Sequence, residues 1–223
     1  IFTLIEWLRD GNALYDVVDG DKESYPRDTW EISCAPEWAA DYEANNLEGF
    51  GADEMPVIDA TRMSVNLAYV EMANQLDLCD IRDVATRMGA RTGGGEPLTP
   101  NPAMVLGTNL LTPLSMANVV ATLSAQGVRC DPVAITEATT RDGETIDVPP
   151  ANCTRVLEED IAAGATHALE AVVGDNPYED TGYFADIPGR DVAGKTGTTN
   201  QHANAWFVGY TPELAAAVWV GHQ

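Results

Sequence analysis

The stretch AGKTGTTN, residues 193–200, sets a lysine among glycines and threonines, and Lys195 is one of only two lysines in a chain of 223 residues. Two chemistries use such a run. A phosphate loop needs G-x-x-x-x-G-K-[ST] between a strand and a helix, and GRDVAGKT, residues 189–196, matches that spacing. Its surroundings do not fit. Pro188 leads into it, Thr-Gly-Thr-Thr is a poor helix start, and RDVA is too bulky to wrap phosphates with successive backbone N–H groups. The other chemistry is peptide recognition on a strand. If residues 192–199 are extended, Lys195 and Gly197 share one face and Thr196 and Thr198 the other. Gly197 would let a ligand backbone approach closely. An edge strand there could pair with an extended peptide, and threonine hydroxyls beside an ammonium suit a terminal carboxylate.

Ser64 and Asn66, in SVNLAYVEMANQL, form a second polar pair. A serine at this point has an ordinary use as N-cap of a helix beginning at Val65, with Asn66 turned to solvent. No metal site is expected. Cys34, Cys79, Cys130 and Cys153 lie far apart, and His167, His202 and His222 do not complete a ligand set. The cysteines allow three disulfide connectivities, Cys34–Cys79 with Cys130–Cys153 being one, and buried free thiols are equally compatible with the spacing.

Thirty-five acidic against twelve basic residues give a net charge of −23, which argues against a nucleic-acid backbone or an anionic membrane as partner. A well-solvated acidic surface accounts for it, and a salty environment would exploit it. No run of about 18 apolar residues is present to span a bilayer. The chain opens on Ile1 already in helical pattern and stops just after a strand-like run, so a piece of a longer protein is expected.

The elements that must position these residues read as helices followed by strands. IFTLIEWLRDG spaces Ile1, Leu4, Ile5 and Leu8 helically and ends on Gly11. Residues 12–60 show no sustained period. SVNLAYVEMANQL places Val65, Ala68, Tyr69, Met72, Ala73 and Leu76 on one helical face, and DIRDVATRMG suggests a short helix capped by Asp80. TPLSMANVVATLSAQG is the cleanest helix: Thr112 caps it, Pro113 stands at N1, Leu114, Ala117, Val120 and Leu123 form its stripe, and Gly127 ends it. A hairpin about Asp142 and Gly143 follows, then a helix in EEDIAAGATHALEAVVG with acids in its first turn. Three strand-like runs close the chain: VAGKTGTT, AWFVGY and LAAAVWVG, the latter two joined by a turn through Pro212. Trp206, Tyr210 and Trp219 are expected in the sheet core. The fold class is α+β, helices packed on an antiparallel sheet.

With these elements placed, Lys195-Thr196-Gly197 resembles the K-T-G box of the penicillin-recognising serine acyltransferases, and Ser64-Val65-Asn66 resembles their S-x-N box. Alone each is weak: a chain of this length holds a chance Ser-x-Asn about half the time and a chance Lys-Thr-Gly about one time in twenty. Their order and their setting strengthen the match, since one opens a helix, the other lies on a strand, and AWFVGYTPELAAAVWVG follows as the family's next hairpin. The stretch LGTNLLTPLSMANVVATLSAQGV is similar to the family's segment between the boxes. The resemblance spans nearly the whole chain, read as one partial domain over 1–223. It is greatest to the transpeptidase domain of class A, bifunctional penicillin-binding proteins of actinobacterial type, with a β-lactamase/D,D-transpeptidase-like fold. The family's Ser-x-x-Lys box is absent. Its lysine would stand immediately before Ile1 and its nucleophilic serine three residues earlier.

The resemblance implies an acyl-serine mechanism without cofactor or metal. The serine attacks the carbonyl between the two D-alanines of a peptidoglycan stem peptide and releases D-alanine, and a second stem peptide's amine then takes the acyl group. Ser64, bridged by Lys195, would pass the serine's proton to the leaving amine. Asn66 would bind the donor's side-chain amide. Thr196 and Thr198 would hold the terminal carboxylate, which requires a local twist because alternation puts them opposite Lys195. Gly197 completes the box, and the Thr198 N–H would supply half the oxyanion hole. β-Lactams would imitate the substrate. A D,D-carboxypeptidase, or an inactive module binding muropeptides or β-lactams, would share the boxes. The resemblance also implies an extracytoplasmic place at the cell wall and a membrane anchor in the full-length protein, and outside the cytoplasm disulfides become the favoured state of the cysteines.

Overall fold

A computed structural model describes residues 1–47, 52–199 and 203–222. Asn200 and His202, which entered the reading of the glycine–threonine run and the histidine count, lie outside the described residues. Six helices are α1 (Phe2–Arg9), α2 (Val57–Arg62), α3 (Asn66–Asn74), α4 (Leu78–Arg87), α5 (Pro113–Ser124) and α6 (Glu159–Val172). The main sheet has three antiparallel strands, β9 (Ala193–Thr198), β10 (Asn204–Tyr210) and β11 (Ala215–Gly221), in the order β11-β10-β9. Short two-stranded pairs complete the described residues. These are β1 (Val17–Val18) with β4 (Met55–Pro56), β2 (Ser24–Tyr25) with β3 (Tyr42–Glu43), β5 (Val128–Cys130) with β8 (Cys153–Arg155), and β6 (Ala138–Thr139) with β7 (Thr145–Ile146).

Helices α5 and α6 pack on one face of the main sheet. The register sets Val208 opposite Lys195 and Tyr210 opposite Ala193. Ala193, Val208 and Tyr210 are all buried, so this alternate set faces the helices and carries Lys195 with it. Tyr210 extends its hydroxyl to Thr166 in α6, at 2.8 Å. Small residues bring α6 close to its neighbours: Ala162, Ala165 and Ala168 are buried, and a Cβ on Gly164 would stand 3.2 Å from Leu8 of α1. The opposite sheet face, with Val218 and Val220, is exposed.

Helix α5 follows its sequence signals, with Thr112 Oγ1 accepting from the Ser115 N–H at 3.1 Å and Gly127 at φ +88°. Its stripe is shifted, however. Leu114 is 66% exposed, while Val119, Val120 and Leu123, in the second half of the helix, are buried. Helix α4 starts earlier than its sequence suggests. Asp77 is the cap, accepting from the Cys79 N–H at 2.9 Å, and Asp80 sits inside the first turn. The segment read as irregular ends in helix α2, and Trp219 is half-exposed rather than core, donating to Asn204 Oδ1 at 3.0 Å. The Asp142 and Gly143 hairpin forms as expected between β6 and β7.

Both disulfides form, Cys34–Cys79 and Cys130–Cys153. The first ties the region before β3 to α4, and the second closes the base of an excursion, residues 131–152, that buries none of its side chains. Sequence separations of 45 and 23 residues correspond to about 4 and about 3 kcal/mol of unfolded-chain entropy. Replacing Cys34 and Cys79 together by alanine should therefore lower the unfolding free energy by about 4 kcal/mol, and the second pair by less. Urea denaturation of the two double variants measures both, and equal midpoints with the parent would show that the cross-links do not stabilise the fold.

Candidate active site

Ser64 lies between α2 and α3 in an unusual backbone state, φ +57°. The hydrogen bonds explain it. The Val65 N–H reaches back to Ala60 O at 2.9 Å and the Ser64 N–H to Thr61 O at 3.3 Å. This 6→1 and 5→2 pair is a Schellman ending of α2, with Ser64 at the left-handed position where glycine is usual. Ser64 thus terminates one helix and does not cap the next. The cap residue of α3 is Val65, which makes no side-chain cap bond. The α3 N-terminus is served from elsewhere, by Asn46 Oδ1 accepting from the Leu67 N–H at 2.9 Å. Holding a serine left-handed costs about 1–2 kcal/mol, and such strain persists where surrounding structure over-determines it. Here Thr61 supplies a brace, its hydroxyl bonded to Val57 O and 2.7 Å from the Tyr69 hydroxyl across the turn.

The strained serine meets the lysine. Lys195 Nζ donates to Ser64 Oγ at 2.6 Å and to Thr196 O at 3.3 Å. Lys195 stands on β9, an edge strand of the main sheet, and burial lowers its pKa to about 8. The backbone nitrogen of Ile1 lies close to Lys195. Strand position also removes the phosphate-loop reading, since Gly194 and Lys195 lie inside β9 and the chain returns as β10.

The remaining residues singled out in the sequence divide. Asn66 is half-buried and its Nδ2 donates to Asn45 O at 3.0 Å, which fixes the amide beside the Ser64 turn. Thr196 donates to Thr181 Oγ1 at 3.1 Å, and Thr181 in turn donates to Arg62 O at 3.1 Å. Adjacent side chains of β9, Lys195 and Thr196, therefore both tie to the turn at 62–64 despite strand alternation. Thr198 is exposed near the end of β9. Gly197 faces Trp206 across the register, and a Cβ there would meet only Trp206 Cβ at 3.4 Å, an ordinary contact. Nothing in the fold itself demands glycine at 197. Sequence reasoning missed Asn45, Asn46, Arg62, Asp180 and Thr181, none of which belongs to a short motif. The Asn176-Pro177 pair just before Asp180 and Thr181 is a local signal of a turn in that connection.

An ammonium with a depressed pKa hydrogen-bonded to a hydroxyl is an arrangement that can move a proton between nitrogen and oxygen near neutral pH. The edge of β9 beside it offers unpaired backbone groups to an extended ligand.

Two measurements follow from this geometry. Lysine-selective labelling gives two side-chain signals, and Lys195 should titrate near 8. Between about 8 and the unfolded value near 10.5 the unfolded chain binds more protons, so this group makes stability rise with pH through that window. A Lys195 signal that titrates as an ordinary exposed lysine would remove the buried-ammonium account. Separately, Ser64→Gly should raise stability by about 1 kcal/mol by relieving the left-handed strain, whereas Ser64→Ala keeps the strain and should not. Equal urea midpoints for the two variants would count against strain at this position.

The family described as penicillin binding protein transpeptidase domain matches residues 21–222. Penicillin-binding protein 1A of Mycobacterium tuberculosis is 29% identical over 214 residues, covering 86% of this chain and 25% of its own length. Penicillin-binding protein 1A of Aquifex aeolicus is 31% identical over 160 residues, covering 72% and 21%. The chain thus spans about a quarter of the length of these relatives. Among solved structures, the penicillin-binding protein PonA1 from Mycobacterium tuberculosis superposes with TM-score 0.77 at 26% identity, over 99% of this chain and 57% of that one. PonA1 has also been solved in complex with penicillin V, and that structure superposes with TM-score 0.76. Penicillin-binding protein 1A of Haemophilus influenzae, 19% identical with TM-score 0.83, shares the fold. The α+β, D,D-transpeptidase-like architecture expected from the sequence is the fold of these proteins.

Proposed function

This chain belongs to the family of penicillin-binding protein transpeptidase domains, and from that membership we propose that it is part of a serine D,D-transpeptidase that cross-links peptidoglycan stem peptides. The observation that carries the reading is the 2.6 Å bond from Lys195 Nζ to Ser64 Oγ, which joins the two boxes across 131 residues. The reading takes residues 1–223 as one partial domain.

In this reading a Ser-x-x-Lys segment precedes Ile1 in the complete protein. That segment would join the chain at Ile1, whose backbone nitrogen lies near Lys195, beside the Ser64–Lys195 pair. The serine attacks the carbonyl between the D-alanines, forming the acyl-enzyme as the C–N bond breaks. Ser64 Oγ gives a proton to the departing amine and recovers one from the nucleophile's side, with Lys195 holding its hydroxyl in place and stabilising negative charge as it develops. The stem peptide lies along the β9 edge, the Thr198 N–H helps hold the oxyanion, Asn66 contacts the donor's side-chain amide, and Thr196 and Thr198 receive the terminal carboxylate. A second stem peptide's amine resolves the acyl-enzyme into the cross-link. β-Lactams take the donor's place and leave a stable acyl-serine. Such chemistry belongs at the outer face of the cytoplasmic membrane, with the complete protein anchored there.

The test is intact mass with and without a penicillin, for this chain and for the gene product extended upstream through the expected box. Only the extended protein should gain one β-lactam, on the serine four residues before Ile1. Ser64→Ala in that protein should slow acylation by about a hundredfold, the scale of a lost proton relay. A folded extended protein that gains no mass would sink the enzyme reading in favour of a non-catalytic muropeptide-binding module. Acylation followed by release to water, with no transfer to an added amine, would instead mark a D,D-carboxypeptidase.

A further inference from the structure

Between α6 and β9 the chain makes a connection that no short motif marks. Within it, Asp180 is buried and accepts from the Asn176 N–H at 2.6 Å. Arg62, the last residue of α2, donates to Glu179 at 2.6 Å and to Asp180 at 3.2 Å, and it also meets Asp59 at 3.3 Å. One residue beyond, Thr181 donates to Arg62 O twice, through its hydroxyl at 3.1 Å and its backbone N–H at 3.4 Å. Thr196, the neighbour of Lys195, donates to the Thr181 hydroxyl at 3.1 Å. This connection therefore holds the end of the helix that presents Ser64 and the strand that presents Lys195 in one clasp.

We propose that Thr181 is a positioning residue of the site, locking the Ser64 turn to β9 through the Thr196 hydroxyl whichever way that hydroxyl points its proton. The second part is a matter of counting. A hydroxyl has one proton and two acceptor sites, and a carbonyl accepts only. With Thr181 donating to Arg62 O, its contact with Thr196 requires Thr196 to donate to it, which leaves Thr196 presenting lone pairs outward. A carboxylate needs a donor there. Thr181 can turn its proton toward Thr196 while its backbone N–H keeps hold of Arg62 O, and the Thr196 proton is then released to the ligand. The clasp thus holds the turn in place whether Thr196 donates inward or outward. Valine at 181 keeps only the backbone N–H to Arg62 O and loses the link to Thr196, whereas serine keeps both. The consequence for substrate rests on the transpeptidase reading above, whereas the clasp itself does not.

The test compares Thr181→Val with Thr181→Ser. Thr181 is exposed, so both should fold, and Thr181→Ala serves the same comparison if the valine variant does not. In this chain, the Lys195 side-chain titration should stay at its parent value in the serine variant. In the valine variant it should move up by about one unit toward the ordinary lysine value as the turn loosens and water reaches the ammonium. In the upstream-extended protein, the penicillin acylation rate should fall about tenfold for valine and recover for serine. If valine and serine behave alike in the lysine titration, both unmoved or both shifted, the positioning role is overturned. If penicillin acylates none of the proteins while the valine variant alone shifts Lys195, the clasp stands and the transpeptidase reading falls.

Discussion

A hydrogen bond between a lysine on a sheet edge and a serine at a helix end, 131 residues apart, makes demands on everything around it. An ammonium taken out of water loses hydration that a single hydroxyl cannot replace, and the depressed pKa of Lys195 records that loss. The group stays because its strand has no freedom to withdraw it. Ala193, Val208 and Tyr210, on the same face of the sheet, are buried beneath α5 and α6. The Ser64 turn follows α2, which packs against both α6 and α3.

The turn is strained as well. A glycine at 64 would give the Schellman ending of α2 at no steric cost, yet the hydroxyl stands there in the left-handed region. The structure over-determines this state through Thr61, Tyr69 and the Arg62 clasp. Stability is lost at the residue whose oxygen the lysine needs, and it is recovered from neighbours that touch no ligand. The same division would appear at Gly197 in the transpeptidase reading, where the fold has room for a Cβ and an approaching ligand backbone would not.

What the sequence made legible was local. Lys195-Thr196-Gly197 on a strand, the hairpin after it, the cap and Pro113 of α5, and the Asp142 and Gly143 turn are each written within a few residues, and each forms. The errors share another cause. Ser64 looked like a cap because serine before a helical run usually is one, but its role was fixed by where α2 ended, and α2 is only six residues long in a stretch without periodicity. Asp77 and Asp80 are both plausible caps three residues apart, and the bridge from Leu78 N to Glu31 O helps select the earlier start. Leu114 and Trp219 are apolar by type and exposed by position, since burial depends on which neighbours arrive. The Arg62, Asp180 and Thr181 clasp joins positions well over a hundred residues apart, a pairing that one sequence cannot encode in its spacing.

The charge of the chain bears on the site in a way its motifs do not. Of the two lysines, Lys22 is held by Glu71 at 2.9 Å and lies 4.3 Å above the Tyr25 ring, and Lys195 is bonded to Ser64. In the transpeptidase reading a ligand carboxylate approaches a chain of net charge −23, so the long-range field would oppose its arrival. Salt shortens that field to about 8 Å at physiological ionic strength and about 3 Å at molar salt. The Lys195 charge acts at contact distance, where screening counts for little. The two fields are therefore separable. In that reading the surface would set how fast the anionic ligand arrives, with a rate that rises with salt, while Thr196 and Thr198 would hold its carboxylate and Lys195 would act at the Ser64 hydroxyl. A lysine-poor acidic surface can thus coexist with a local cation, provided that the cation is fixed in place, as the bond to Ser64 fixes Lys195.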